Sequence, residues 1–174
     1  MKKLLAVILA SAFAACHSPA LVPVRTDVPT APSPAPDFAL QNLSGATIHL
    51  SDFRGKTVLL DFWATWCEPC KQSIPRYMAM QDKLRAKGFV VVGVDEVETH
   101  DVVDAHARKH GMSYPLLLDT DAGLFRRYGG RSLPSAFLID TQGNIRGRWD
   151  GFDAATGLDV EAATERLLGE KPRF

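Results

Sequence analysis

An almost wholly apolar octet, Thr57-Val58-Leu59-Leu60-Asp61-Phe62-Trp63-Ala64, runs through two residues into Cys67-Glu68-Pro69-Cys70. Such an octet reads as a strand covered on both faces, which demands a sheet with helices packed on each side. A Cys-x-x-Cys between a buried strand and a helix has a specific use. The first turn of a helix has unpaired N–H groups and partial positive charge, and both stabilise a thiolate. Pro69 suits helix entry, where its missing N–H costs nothing and its fixed φ is already helical. Cys67, one turn earlier and nearer the surface, is expected to attack a disulfide. Cys70, deeper, is expected to resolve the mixed disulfide.

The surrounding pattern predicts an α/β fold. Phe38 to Gln41 and Thr47 to Leu50 flank the turn-rich Asn42-Leu43-Ser44-Gly45 and suggest a hairpin ahead of the main fold. Ile74, Tyr77, Met78, Gln81 and Leu84 are spaced as one helical stripe ending near Gly88, and Phe89 to Val94 reads as the next buried strand. A helix is expected over Asp101 to His110, a short strand over Tyr114 to Leu118 and a helical turn over Leu124 to Tyr128. Ser135 to Asp140 and Ile145 to Trp149 bracket a second hairpin turn, and Val160, Ala163 and Leu167 face the last helix inward. Trp63 and Trp149 are expected to be structural, and Pro75 to kink its helix.

Two other uses of the cysteine pair compete, half of a structural zinc site and a buried structural disulfide. Zinc needs two further ligands, and His106 and His110 are an i, i+4 pair far outside finger spacing. They read as half-buried helix residues, so no metal is expected, and dithiol exchange needs no cofactor.

Ahead of the folding signals, Lys2 and Lys3 precede a stretch of apolar and small residues from Leu4 to Ala15, then Cys16. This is a signal-peptide pattern over 1–15. As a helix it would reach only ~18 Å against a hydrocarbon core of ~30 Å, too short to span. Phe13-Ala14-Ala15-Cys16 resembles a lipoprotein box that would lipidate Cys16, whereas Ala12-Phe13-Ala14 fits ordinary secretion. Six of the eleven prolines fall between Pro19 and Pro36, so 16–36 reads as a Pro/Ala-rich tether to a domain at 37–174. Formal net charge is zero with no basic stripe, and nothing recommends a nucleic-acid partner.

Asp61-Phe62-Trp63-Ala64-Thr65-Trp66-Cys67-Glu68-Pro69-Cys70-Lys71 resembles the active-site segment of the thioredoxin superfamily, and within it the membrane-tethered TlpA/ResA/CcmG group. The resemblance implies a thioredoxin-like fold: a central mixed β-sheet flanked by helices, with an N-terminal hairpin and a helix-strand insertion. It implies a cis Pro134 facing the dithiol, with the Leu133 backbone exposed to a substrate peptide. Asp61 falls at the buried carboxylate beneath the dithiol, where burial would raise its pKa and suit it to take the Cys70 proton. Val92-Gly93-Val94-Asp95-Glu96-Val97-Glu98-Thr99 resembles the segment that carries an active-site glutamate; Glu98 fits best in register, with Glu96 two residues away. Trp66, Glu68, Pro69 and Leu133 are the positions expected to meet a substrate.

The negative charge of Glu68 disfavours the Cys67 thiolate and points to a reductant. The resemblance implies the same: an extracytoplasmic, lipid-anchored or secreted bacterial protein that reduces protein disulfides, such as those of apocytochrome c, and is re-reduced by a transmembrane dithiol donor. The alternatives are a disulfide oxidase or isomerase and a copper-handling dithiol module; a peroxidase fits less well, because the thiols are paired.

Overall fold

The computed structural model describes residues 25–26 and 32–169. The signal-peptide segment 1–15, Cys16 and most of the 16–36 tether lie outside the described residues. No helix among the described residues is long and apolar enough to cross a membrane.

Among the described residues nine strands form one mixed sheet: β1 (Arg25–Thr26), β2 (Ser33–Pro34), β3 (Ala39–Asn42), β4 (Thr47–His49), β5 (Thr57–Trp63), β6 (Phe89–Glu96), β7 (Leu116–Asp119), β8 (Ser135–Ile139) and β9 (Asn144–Asp150). Their order is β1-β9-β8-β5-β6-β7-β3-β4, with β2 also on β9. The apolar octet is thus central. β5 runs parallel to β6 and antiparallel to β8, and every residue in it is buried. The hairpin expected ahead of the fold is part of the sheet, since β3 pairs antiparallel with β7.

Four α-helices among the described residues cover the two faces: α1 (Cys70–Leu84), α2 (His100–His110), α3 (Gly123–Arg127) and α4 (Ala154–Gly169). Leu59, Trp63, Val91, Leu116 and Trp149 pack with Cys70, Ile74 and Tyr77 of α1, Val103 of α2 and Val160 of α4. Val58, Leu60, Phe62, Val92 and Phe137 form the opposite core with Leu124 of α3 and with Phe38 and Leu50 around the hairpin. Full burial of each such large side chain contributes roughly 1.5–3 kcal/mol, so the two cores fix the pleat of β5 firmly.

Two details differ from the sequence reading. The sheet starts ahead of Asp37: Ser33 and Pro34 pair with Ile145 and Asn144, and Ala35 N donates to Gly143 O at 2.9 Å. Proline is tolerated there because β2 lies at an edge. The Tyr128 hydroxyl and the Arg127 guanidinium then hold the Pro36 and Asp37 carbonyls at 2.8 and 3.0 Å. The buried stripe of α1 contains Met80, while Met78 and Gln81 lie at its margin. Gln81 Oε1 accepts the Val91 N–H at 2.7 Å, beyond the reach of β7, so a backbone donor claims it. α1 continues through Pro75, which lacks the N–H that would meet the Lys71 carbonyl.

Candidate active site

The helix begins at Cys70, not Cys67. Ala64 to Cys67 form a turn closed by Cys67 N donating to Ala64 O at 3.2 Å, and Glu68-Pro69 lead into α1. Cys67 and Cys70 are joined as a disulfide, and the Cys70 N–H donates to Cys67 Sγ at 3.3 Å. The helix therefore supplies Cys67 with one oriented donor, which favours its thiolate once the pair is reduced. Cys67 is 4% exposed and Cys70 not at all, while neighbouring Trp66 is 68% exposed. A substrate sulfur can reach only the first cysteine, through a narrow opening beside an indole.

Glu68 is largely exposed and pairs with Lys71 at 2.6 Å. The positive charge of that neighbour opposes the Glu68 field, so the electrostatic argument for a reductant is weaker than the sequence suggests. Pro69 is half-buried.

The Leu133–Pro134 bond is cis. Pro134 O accepts from Gly151 N at 2.7 Å, and Ser135 Oγ, which lies within bonding reach of both Ser132 O and Asp150 Oδ1, locks the following residue. No hydrogen bond within the described residues takes the Leu133 N–H or carbonyl, so this backbone can pair with an extended peptide.

Asp61 sits on the sheet face that carries Cys70, between Gly93 of β6 and Ala136 of β8 in register. It is fully buried, and neither oxygen has a hydrogen-bond partner among the described residues. Burial pushes its pKa well above the usual carboxylate range and so disfavours the charged form. Trp63 Nε1 and the Tyr114 hydroxyl, on the same face, also lack partners there. Gly93 permits this crowding: a Cβ there would lie 3.0 Å from the Tyr114 ring and 3.1 Å from Trp63 Nε1.

Glu98 reaches the loop before Cys67. Thr65 N donates to Glu98 Oε2 and Thr65 Oγ1 to Glu98 Oε1, each at 2.6 Å. Glu96, its rival in register, faces the other side of the sheet, where burial and Asp119 push its pKa up to about 8. Asp95 is buried beside Trp63 in the β5–β6 register; its Oδ1 accepts the Glu98 N–H at 3.2 Å, and burial, then Glu98, push its pKa up to about 8. Thr65 and Asp95 were not singled out from the sequence. The signal was present, since two acids close a strand that is otherwise entirely apolar.

Val97 makes the turn that returns Glu98 to Thr65. It has φ +67° and is 62% exposed. A β-branched residue in the left-handed region costs on the order of 1–3 kcal/mol. Val97→Gly is therefore expected to stabilise the fold by about 1 kcal/mol, after the entropy glycine gains in the unfolded chain. An upward shift of the urea midpoint checks this; a downward one shows that the valine backbone is unstrained.

His106 is half-buried against Trp63, with ring centroids 5.4 Å apart, and burial lowers its pKa; His110 is exposed. No group of three or more His, Cys, Asp or Glu among the described residues is placed to hold a metal ion. Trp149 is buried and donates Nε1–H to Asp159 at 2.7 Å, a structural role.

A family model described as AhpC/TSA matches residues 32–148. The chain belongs to the AhpC/TSA family. Among AhpC/TSA relatives it is 41% identical to the thiol-disulfide oxidoreductase ResA of Bacillus subtilis (strain 168) over 114 residues, 65% of this chain and 63% of that protein. ResA of Geobacillus kaustophilus (strain HTA426) is 35% identical over 135 residues, 78% of this chain and 76% of that protein. The chain thus spans just under two thirds of the length of the Bacillus subtilis relative. A crystal structure of a candidate thiol:disulfide interchange protein DsbE from Chlorobium tepidum superposes with a TM-score of 0.76 at 36% identity, over 79% of this chain and 97% of that one. The fold is thioredoxin-like, shared with that thiol:disulfide interchange protein.

Proposed function

We propose that the chain is an extracytoplasmic thiol-disulfide oxidoreductase that reduces selected protein disulfides. The observation that carries the reading is the Cys67–Cys70 pair bonded at the end of the central strand, with only Cys67 within reach of solvent. The ResA and DsbE likenesses support it.

In this reading the Cys67 thiolate attacks a substrate disulfide. A Cys67 Sγ–substrate S bond forms, the substrate S–S bond breaks, and the leaving thiolate takes a proton from water. Cys70 then gives up its proton and attacks Cys67 Sγ. The mixed disulfide breaks, the second substrate thiolate leaves, and the protein is oxidised as the substrate gains two electrons. Asp61, in its deprotonated form, is the group we assign to take the Cys70 proton. Trp66, Glu68 and Pro69 border the approach, and the free Leu133 backbone pairs with the substrate chain beside Pro134. Apocytochrome c, with closely spaced cysteines, is the substrate class we favour, and a transmembrane dithiol carrier the electron donor. The N-terminal pattern supports export, with Cys16 as the lipid anchor.

One observation favours the opposite direction: the Cys70 N–H at Cys67 Sγ stabilises the reduced form, as a disulfide donor requires. The function is tested by mixing the reduced protein with a Cys-x-x-Cys-His peptide held as a disulfide. Peptide thiols are expected to rise as protein thiols fall, one for one. Absence of transfer refutes the reading.

A further inference from the structure

Three linked contacts converge on the residue two before Cys67. The Ala64–Cys67 turn presents Cys67, and Glu98 grips that turn from outside through both the N–H and the hydroxyl of Thr65. Each Glu98 carboxylate oxygen accepts from Thr65, so the side chain acts as a strut. What aims the strut is its own backbone: Val97 turns left-handed, its N–H donating to Asp119 O at 3.2 Å, and the Glu98 N–H folds back onto Asp95 Oδ1. Asp95 is completely buried on the dithiol face, next to Trp63, and its Oδ2 has no partner among the described residues.

We propose that Asp95 is a positioning residue for the dithiol: through the Glu98 N–H it fixes the Glu98 carboxylate on Thr65 and so sets the turn and the charge beside Cys67. The inference rests on the dithiol being the working site, and deepens that reading by naming what holds it. Around the pair, Glu98 faces Asp95 from the following loop, Glu96 neighbours it along β6, and His106 of α2 faces Glu98. While Asp95 is neutral it adds no charge near the thiol. Above pH about 8 Asp95 ionises, and its negative charge opposes the Cys67 thiolate.

The test is the pH dependence of Cys67 alkylation by iodoacetamide in the reduced full chain. This needs no protein substrate and is readable whether or not the chain is a reductase. Wild type is expected to show a second inflection near the Asp95 pKa. Asp95→Asn keeps an acceptor for the Glu98 N–H and a neutral group, so it should keep the wild-type rate at pH 6–7 and lose that inflection. Asp95→Ala should shift the Cys67 pKa by about half a unit or more, and slow disulfide exchange by about tenfold through loss of orientation. In a Glu98→Ala background, which has no side chain left to aim, Asp95→Ala should add nothing. Should Asp95→Ala fail to fold, Thr65→Val is expected to reproduce its pKa shift. Wild-type behaviour of Asp95→Ala, an Asn variant no better than Ala, an effect additive to Glu98→Ala, or an unshifted Thr65→Val each overturns the proposal.

Discussion

Cys70→Ser is expected to accumulate a covalent complex with its substrate through Cys67, while Cys67→Ser accumulates none and loses turnover by about 10³-fold or more. The asymmetry follows from burial. Cys67 retains a small opening beside the exposed Trp66, whereas Cys70 is sealed at the first turn of α1. With Cys70 absent, the mixed disulfide on Cys67 has no internal thiol to break it and persists until an external thiol does so. Non-reducing electrophoresis with mass spectrometry of the adduct reads the result. Trapping on Cys70 in the Cys67→Ser protein would reverse the assigned roles.

Asp61→Asn is expected to make the protein more stable and slower. Asp61 has a raised native pKa because burial disfavours its charged form and no donor compensates. The native state therefore holds a proton that the unfolded chain releases above pH ~3.9. Stability contributed by that proton is complete below the unfolded pKa and is lost as pH rises towards the native value. Asparagine removes the dependence. The variant should gain about 1.4 kcal/mol over wild type per pH unit across that window, and nothing below it. Resolution by Cys70 should slow by about 10²-fold for want of a proton acceptor, without a comparable change in the attack by Cys67. Denaturant unfolding at pH 4 and pH 7 and single-turnover kinetics measure both. A constant difference between the two pH values would contradict the buried, protonated carboxyl.

Much of this architecture was legible because burial writes itself into periodicity. The octet of β5, the β3–β4 and β8–β9 hairpins and the glycine stop of α2 follow from patterns that water imposes on a chain of this composition. β2 was not legible: two residues in a proline-rich stretch have no period, and their pairing depends on where the edge of β9 happens to lie. The start of α1 was not legible for a related reason: Pro69 is compatible with a first turn but serves as the N-cap, its carbonyl accepting from Ser73 N, and the helix proper starts at Cys70. At the site, the cysteines were visible as a motif, and Asp61 as a charge amid apolar residues. Glu98 was reached through resemblance, and the hydrogen bonds to Thr65 give it a physical partner. Asp95 was legible only as an acid at the end of an apolar strand, and its link to Thr65 was not, because two contacts across a loop leave no spacing to detect.

The reduction potential of the Cys67/Cys70 couple, measured in the full chain against thiol buffers with Trp66 fluorescence as the probe, tests the central claim most directly. A reductant re-reduced by a dithiol donor should lie near the thioredoxin value of about −270 mV. A value near about −120 mV, typical of strong disulfide donors, would contradict the proposed direction of electron flow.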